Sequence, residues 1–180
     1  MIKTLYKCFQ HWSEKGSVWI ISDTHFDDDD CKLMDKNWIT PEEHIKNLSF
    51  LTKNDTLIHL GDVGNPEYFT KLKCHKVLIM GNHDCSSEKF KNYFDEIYTG
   101  ALIIAEKIIL SHEPLDINWA FNIHGHNHNK NEKNDIFHLN LASNVVDYKP
   151  ANLNEIIKKG YLKSIKSIHR ITIDNASNKN

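Results

Sequence analysis

Apolar runs of three to five residues recur along the chain, and five of them stop abruptly at polar, chemically useful side chains. Ser17–Ile21 (SVWII) reads as a buried strand and ends in Ser22-Asp23-Thr24-His25-Phe26. Thr56–Leu60 (TLIHL) delivers Gly61-Asp62, and Lys76–Met80 delivers Gly81-Asn82-His83-Asp84. Lys107–Leu110 delivers Ser111-His112, and Phe121–Ile123 delivers His124-Gly125-His126-Asn127-His128. Short apolar runs bounded by turn-forming residues predict buried strands. Helix signals lie between the early ones. Thr40-Pro41-Glu42-Glu43 offers Thr as N-cap, Pro at the first helical position and Glu to complete a capping box. That helix is expected to bury Ile45, Leu48 and Leu51 and to end near Asn54. Pro66–Leu72 predicts a short helix, and Ser86 or Ser87 a cap for another through Phe94. Glu96–Tyr98, Ala101–Ala105 and Ile136–Leu141 predict further strands, and Leu153–Lys159 a short amphipathic helix. Ile168–Ile173 alternates apolar and polar residues, as a half-buried strand would. Residues 1–16 predict an edge segment, with Leu5, Tyr6, Phe9 and Trp12 at roughly helical spacing, and 175–180 a frayed tail. Helices alternate with strands early and β-hairpins dominate later. This predicts an α/β protein of two packed sheets rather than one doubly wound sheet.

Length and charge narrow the possibilities. A chain of 180 residues suits one domain over 1–180, large enough to bury about 70% of its unfolded surface. The 22 Lys+Arg against 24 Asp+Glu argue against a nucleic-acid coat or a polybasic membrane anchor. Arg170 is the sole arginine, so forked guanidinium clusters are not available for phosphate. A phosphate ligand would have to be met by metal ions, His, Asn or Lys. Cys8, Cys31, Cys74 and Cys85 have no CxxC or framework spacing, which predicts reduced thiols. The first residues carry no apolar signal region, and no window approaches a membrane span. A soluble, cytoplasmic protein without a membrane partner is expected; the sequence carries no signal for an oligomeric state.

The polar clusters gain weight together. In α/β sheets the carboxyl ends of strands gather at one edge, where ligands bind. Asp23 and His25 stand at i and i+2, so both point to one face of a strand end. With Asp62, Asn82, His112, His126 and His128 they offer oxygen and imidazole donors for two divalent metals, provided one carboxylate bridges. Such a donor set without thiolate favours Mn, Fe, Zn, Co or Ni. Two metals about 4 Å apart can stabilise the attacking and leaving oxygens of a phosphoryl displacement. Other polar residues have plainer readings. The acidic run Asp27–Asp30 fits a solvated loop that could also exclude polyanions. His59 fits packing in the core, and His124 lies at a strand end outside the ligand pattern. His11, His44, His75, His138 and His169 are expected on the surface.

The order Asp23-x-His25, Gly61-Asp62, Gly81-Asn82-His83-Asp84, His112, Gly125-His126-x-His128 resembles the signature of the calcineurin-like metallophosphoesterase superfamily. Each piece is common by chance; the five in order are specific, and the resemblance spans roughly residues 17–150. Asn144-Val-Val-Asp147-Tyr148-x-Pro150 and Leu153-x-Glu155-Ile156 resemble the tail of small single-domain bacterial and phage members. The fold implied is a four-layer α/β/β/α sandwich of two mixed sheets flanked by helices. The resemblance implies two divalent metal ions, Mn first, with Fe, Zn, Ni or Co as alternatives. Asp23, His25 and His128 would hold one; Asn82, His112 and His126 would hold the other; Asp62 would bridge them. His83 would hydrogen-bond the phosphate and protonate the leaving oxygen, and Asp84 would orient His83 and favour its charged form. The activity implied is hydrolysis of small phosphodiesters by in-line attack of a metal-bridging hydroxide. The alternatives are a phosphomonoesterase acting on nucleotides or phosphoproteins, and a non-catalytic metal-binding scaffold. A nucleic-acid partner is disfavoured by the single Arg and the missing basic stripe. The chain differs from many larger members after Gly61-Asp62, where Val63-Gly64-Asn65 stands in place of an acidic residue.

Overall fold

The apolar runs do form strands, and their alternate residues face two different layers. The computed structural model describes residues 1–177. Its first sheet has the order β4-β3-β2-β1-β9, built from β1 (Val18–Ile21), β2 (Thr56–His59), β3 (His75–Ile79), β4 (Glu96–Tyr98) and β9 (Ala151–Asn152). The first four are parallel and β9 runs antiparallel to β1. The second sheet has the order β5-β6-β7-β8, from β5 (Leu102–Ala105), β6 (Ile108–Leu110), β7 (Phe121–His124) and β8 (His138–Asn140). Only β5 is antiparallel to its neighbour there.

Val18, Ile20, Ile58, Leu60, Val77 and Ile79 of the first sheet pack with Ile104, Ile108, Leu110, Phe121 and Ile123 of the second to form the inter-sheet core. The alternate residues Ile21, Leu57 and Leu78 turn outward, under a layer that supplies Ile45, Leu48, Leu51, Phe69, Phe90 and Phe94. Burial on both faces explains why these parallel strands read as continuous apolar runs. Helical segments flank the two mixed sheets: α1 (Cys31–Met34), α2 (Pro41–Leu48), α3 (Leu153–Lys158) and α4 (Ile168–Ser177), with 3₁₀ turns at Lys7–Ser13, Pro66–Lys71, Ser87–Phe90 and Tyr161–Lys163.

The capping box at Thr40 is present, with Glu43 N–H donating to Thr40 Oγ1 and Thr40 N–H to Glu43 Oε2. The helix stops at Leu48, six residues before the expected end. Asp55 gathers Thr52 N–H, Thr52 Oγ1–H and Ser17 N–H onto its carboxylate, and that local network competes with further helix. The segment after Ser86 is one 3₁₀ turn rather than a helix through Phe94. The predicted strand at Ile168–Ile173 is part of α4 instead. Six alternating residues fit both periods, and Thr172 Oγ1 donates to the Ile168 carbonyl, as a helical threonine does. Of the predicted tail, 175–177 close this helix and 178–180 lie outside the described residues.

Two histidines expected on the surface are buried. His138 donates to the Leu115 carbonyl and pairs with Asp135. His44, on the inner face of α2, lies between Phe26 and Tyr148 with neither ring nitrogen hydrogen-bonded. Burial lowers its pKa to about 4. Below pH 6.5 the unfolded chain takes up this proton and the folded chain does not. Stability is therefore full above that pH and is lost as pH falls towards 4, on the order of 2 kcal/mol by pH 5. In chelator-treated protein, His44→Leu should raise the melting temperature at pH 7, by removing two unpaired buried polar atoms. It should also shrink the drop in melting temperature between pH 7 and pH 5. An unchanged drop would assign the acid sensitivity to other groups.

Candidate metal centre

β1 and β2 are parallel neighbours, as are β6 and β7, so the turns after these strands open at common edges. The two edges are stitched together: Ser22 N–H donates to the Leu141 carbonyl and Ser143 N–H to the Ser22 carbonyl. Asp23 and His25 leave β1, Asp62 leaves β2, Asn82 follows β3, His112 follows β6, and His126 and His128 follow β7. Asp23 N–H and His25 N–H donate to the Gly61 and Asp62 carbonyls, 2.9 and 3.0 Å away. Asp23, His25, Asp62 and His126 all have left-handed backbones, with φ of 57°, 43°, 56° and 67°. For residues with a Cβ this conformation costs roughly 1–2 kcal/mol each, and four of the eight such residues among those described are candidate ligands. Gly125 makes the close approach possible, since a Cβ there would lie 2.2 Å from Asp23 Oδ2.

Two groups of donors result. Ligand atoms of Asp23, His25 and His128 lie within 4.8 Å of one another, as do those of Asp62, His112 and His126. Asn82 Oδ1 joins the second group, 2.8 Å from His112 Nε2 and 3.0 Å from His126 Nδ1. Asp62 Oδ2 lies 3.2 Å from His112 Nε2 and 3.7 Å from His25 Nε2, so it stands between the groups. All seven sequence-predicted ligands are thus brought together.

Asp23 Oδ1 and His25 Nε2 are buried and find no hydrogen-bond partner in the protein. Orphaned acceptors of this kind are costly unless something positive is meant to sit between them. The outward ring nitrogens are occupied: His25 Nδ1 by Asp28 Oδ2 at 3.1 Å, His112 Nδ1 by the Leu60 carbonyl at 2.8 Å, and His128 Nδ1 by Asn144 Oδ1 at 3.0 Å. These partners accept, so each Nδ1 carries its hydrogen and Nε2 faces inward, as metal-ligating histidines require. The residues fit divalent cations. Electrostatics agree. Burial works to lower His112, but its bond to Asp62 and the charges of Asp23 and Asp62 raise it to about 9. Burial likewise opposes the charge on Asp62, yet the bond from His112 holds its carboxyl at about 2.

The Gly81–Asp84 loop partly departs from expectation. His83 is exposed at the rim, its ring centroid 5.6 Å from that of His25, and its N–H donates to Asp62 Oδ1. Asp84 does not orient that ring. Its two oxygens accept the N–H groups of Asp62, Val63 and Gly81 at 2.8, 3.1 and 2.9 Å, which locks the Asp62 turn to the Asn82 turn. Asp84 also supplies the support that no acidic residue gives directly after Gly61-Asp62.

Sequence reasoning missed other supports. Asp28, from the run read as solvated, aims His25; its i+3 spacing from that histidine was the available signal. His59 is buried, but its task is specific: Nδ1 accepts Gly61 N–H, and Nε2 meets Thr24 Oγ1, which in turn donates to the Val63 carbonyl. His124 bonds the Gly125 and Lys133 carbonyls and fixes the loop behind His126. Trp38 lies 5.6 Å from His128 and 6.0 Å from His25 between ring centroids, and nothing in the sequence pointed to it.

A sequence profile for the calcineurin-like phosphoesterases matches residues 16–171. The chain belongs to that family. As a calcineurin-like phosphoesterase it is a hydrolase of phosphoric esters, from a family that depends on two metal ions. Its structure is similar to that of protein AQ665 from Aquifex aeolicus, described as of unknown function. The TM-score is 0.67 and the identity 31%, over 79% of this chain and 98% of that one. A Pseudomonas putida nuclease, MPE, is similar at a TM-score of 0.46 and 21% identity, over 61% of this chain and 60% of the nuclease. No curated protein matches the chain. Among the described residues, no helix of this phosphoesterase is long and apolar enough to cross a membrane.

Proposed function

We propose that this phosphoesterase hydrolyses small phosphodiesters in the cytoplasm. In this reading Asp23, His25 and His128 hold one divalent ion, and Asn82, His112 and His126 hold a second. Asp62 is shared. The observation that carries the assignment is the orphaned pair Asp23 Oδ1 and His25 Nε2 facing an Asp62 oxygen that also serves His112. Bound there, two such ions, Mn first and Fe, Zn, Ni or Co as alternatives, would supply Lewis acidity and an acidified water. His83 stands at the rim to hydrogen-bond a phosphoryl oxygen and to pass its proton to the leaving oxygen. Asp84 holds the two turns that carry Asp62 and Asn82.

Support for a small, singly charged ester comes from the ground beside His25. A cavity of about 350 Å³ is lined by Thr24, Asp27, Asp28, Asp29, Lys32 and Trp38 among others. Three carboxylates on its wall disfavour the extra charge of a monoester and the many charges of an oligonucleotide. Trp38 offers an aromatic face to the organic group. After reconstitution with Mn²⁺, a chromogenic diester should turn over at least about tenfold faster than the matching monoester, a difference near 1.4 kcal/mol in barrier. A labelled oligonucleotide should stay intact at near-physiological salt. Comparable cleavage of the oligonucleotide would overturn the substrate class. Tight metal binding without turnover of any ester would leave only the scaffold reading.

A further inference from the structure

A second set of metal-competent side chains converges at the opposite end of the first sheet. His11 comes from the 3₁₀ turn Lys7–Ser13, His75 opens β3 and Glu96 opens β4. His75 precedes Asn82 by the length of β3, roughly 20 Å of extended chain, so this cluster is separate from the catalytic end. His11 Nε2 lies 2.7 Å and His75 Nε2 2.6 Å from the same oxygen, Glu96 Oε1. Trp12 Nε1–H donates to that oxygen too, at 2.9 Å, while Tyr98 O–H donates to Oε2 at 2.7 Å.

Three donors therefore crowd an oxygen that has two lone pairs. The crowding disappears if the imidazoles give up their Nε2 hydrogens and turn those lone pairs, with Oε1, onto one cation. Ligand atoms of all three residues already lie within 4.8 Å of one another. Support behind the site points the same way. His75 Nδ1 is 3.6 Å from Asp95 Oδ2, and Asp95 is itself fixed by Lys76 N–H at 2.7 Å. The Asp95 carboxylate thus stands behind the His75 ring at ion-pair rather than hydrogen-bond distance.

We propose that His11, His75 and Glu96 bind a divalent transition metal, Zn²⁺ foremost, which clips the N-terminal segment to the first sheet. Two imidazoles and one carboxylate form a zinc donor set, with a further position open to water. His11 is exposed and His75 half-buried, which gives that water and the ion a way in. The clip lies next to Trp12, whose buried ring joins the inter-sheet core and whose carbonyl accepts Thr56 Oγ1–H.

The test counts zinc per full-length chain by elemental analysis after chelation, reloading with Zn²⁺ and desalting. A paired variant, His11→Gln with His75→Gln, keeps polar partners for Glu96 but removes both imidazoles. It should lose one zinc per chain and part of the zinc-induced rise in melting temperature, with phosphodiester turnover unchanged. A second variant, Asp62→Ala with His112→Ala, disables the centre at the strand ends. It should still hold one zinc and still be stabilised by it. An unchanged count in the first variant, or none left in the second, overturns the clip. Loss of zinc from the first variant but none from the second would instead retain the clip and sink the binuclear centre.

Discussion

Asp62→Ala should empty both metal positions and lower kcat/KM by about a thousandfold or more, roughly 4 kcal/mol of lost transition-state stabilisation. Asp62 stands within reach of both donor groups, through an Oδ2 atom 3.2 Å from His112 and 3.7 Å from His25. Its other oxygen accepts the His83 amide, so the same substitution also releases the loop that carries the proposed acid. His112 would lose the carboxylate that it faces directly. His112→Ala, in contrast, removes a donor from one group only and should mainly affect one ion. Metal content by elemental analysis, beside steady-state rates, separates the two variants. Equal metal loss in both would contradict the shared position of Asp62. A circular dichroism spectrum like that of the parent would show that neither result reflects unfolding.

The parts of this site that were legible in the sequence are those whose causes are local. A strand buried on both faces must be continuously apolar, and a residue just past its end must be polar to meet solvent or a ligand. That is why the polar clusters that hold Asp23, Asp62, Asn82, His112 and His126 could be placed at strand ends from the pattern, while the family signature picked out these residues as ligands. The capping box at Thr40 was legible for the same reason, since its partners stand three residues apart. What was not legible depends on distant chain. Asp84 was assigned to its neighbour His83, but its oxygens are taken by amides 21 and 22 residues away as well as by Gly81. His44 gives no sign of burial, because a lone histidine on a short helix reads the same whether it faces Tyr148 or water. His11 and His75 are 64 positions apart in sequence and meet only because Glu96 draws both to one oxygen. The α4 error has a different origin: within six residues, alternation does not distinguish a period of two from one of 3.6.

The strain at the ligands shows why the turns are tied down so thoroughly. Four left-handed residues next to one another would relax if their loops were free. Asp84 holds three amides, His59 and Thr24 link the first two turns, and Gly125 lets the last turn close against Asp23. These supports make the donor positions a property of the fold.

His83→Ala should lower kcat for diester hydrolysis by about 10²- to 10⁴-fold, the range expected for loss of a positioned acid, while leaving metal content unchanged. The side chain is at the rim, beside His25 and outside both donor groups, so its removal takes no ligand away. Its amide bond to Asp62 comes from the backbone and survives the substitution. The decisive readout is the leaving group. A nitrophenolate departs without protonation, whereas an alkoxide needs a proton as the bond to phosphorus breaks. The variant should therefore lose much more rate with an alkyl ester than with a nitrophenyl ester. The pH profile gives a second, independent signature. The parent should slow at alkaline pH as the acid loses its proton, and at acid pH as the ligand histidines take up protons and release metal. In His83→Ala the acid limb should remain and the alkaline limb flatten. Equal losses for both leaving groups, with the alkaline limb intact, would remove His83 from proton transfer and leave it a phosphate contact alone.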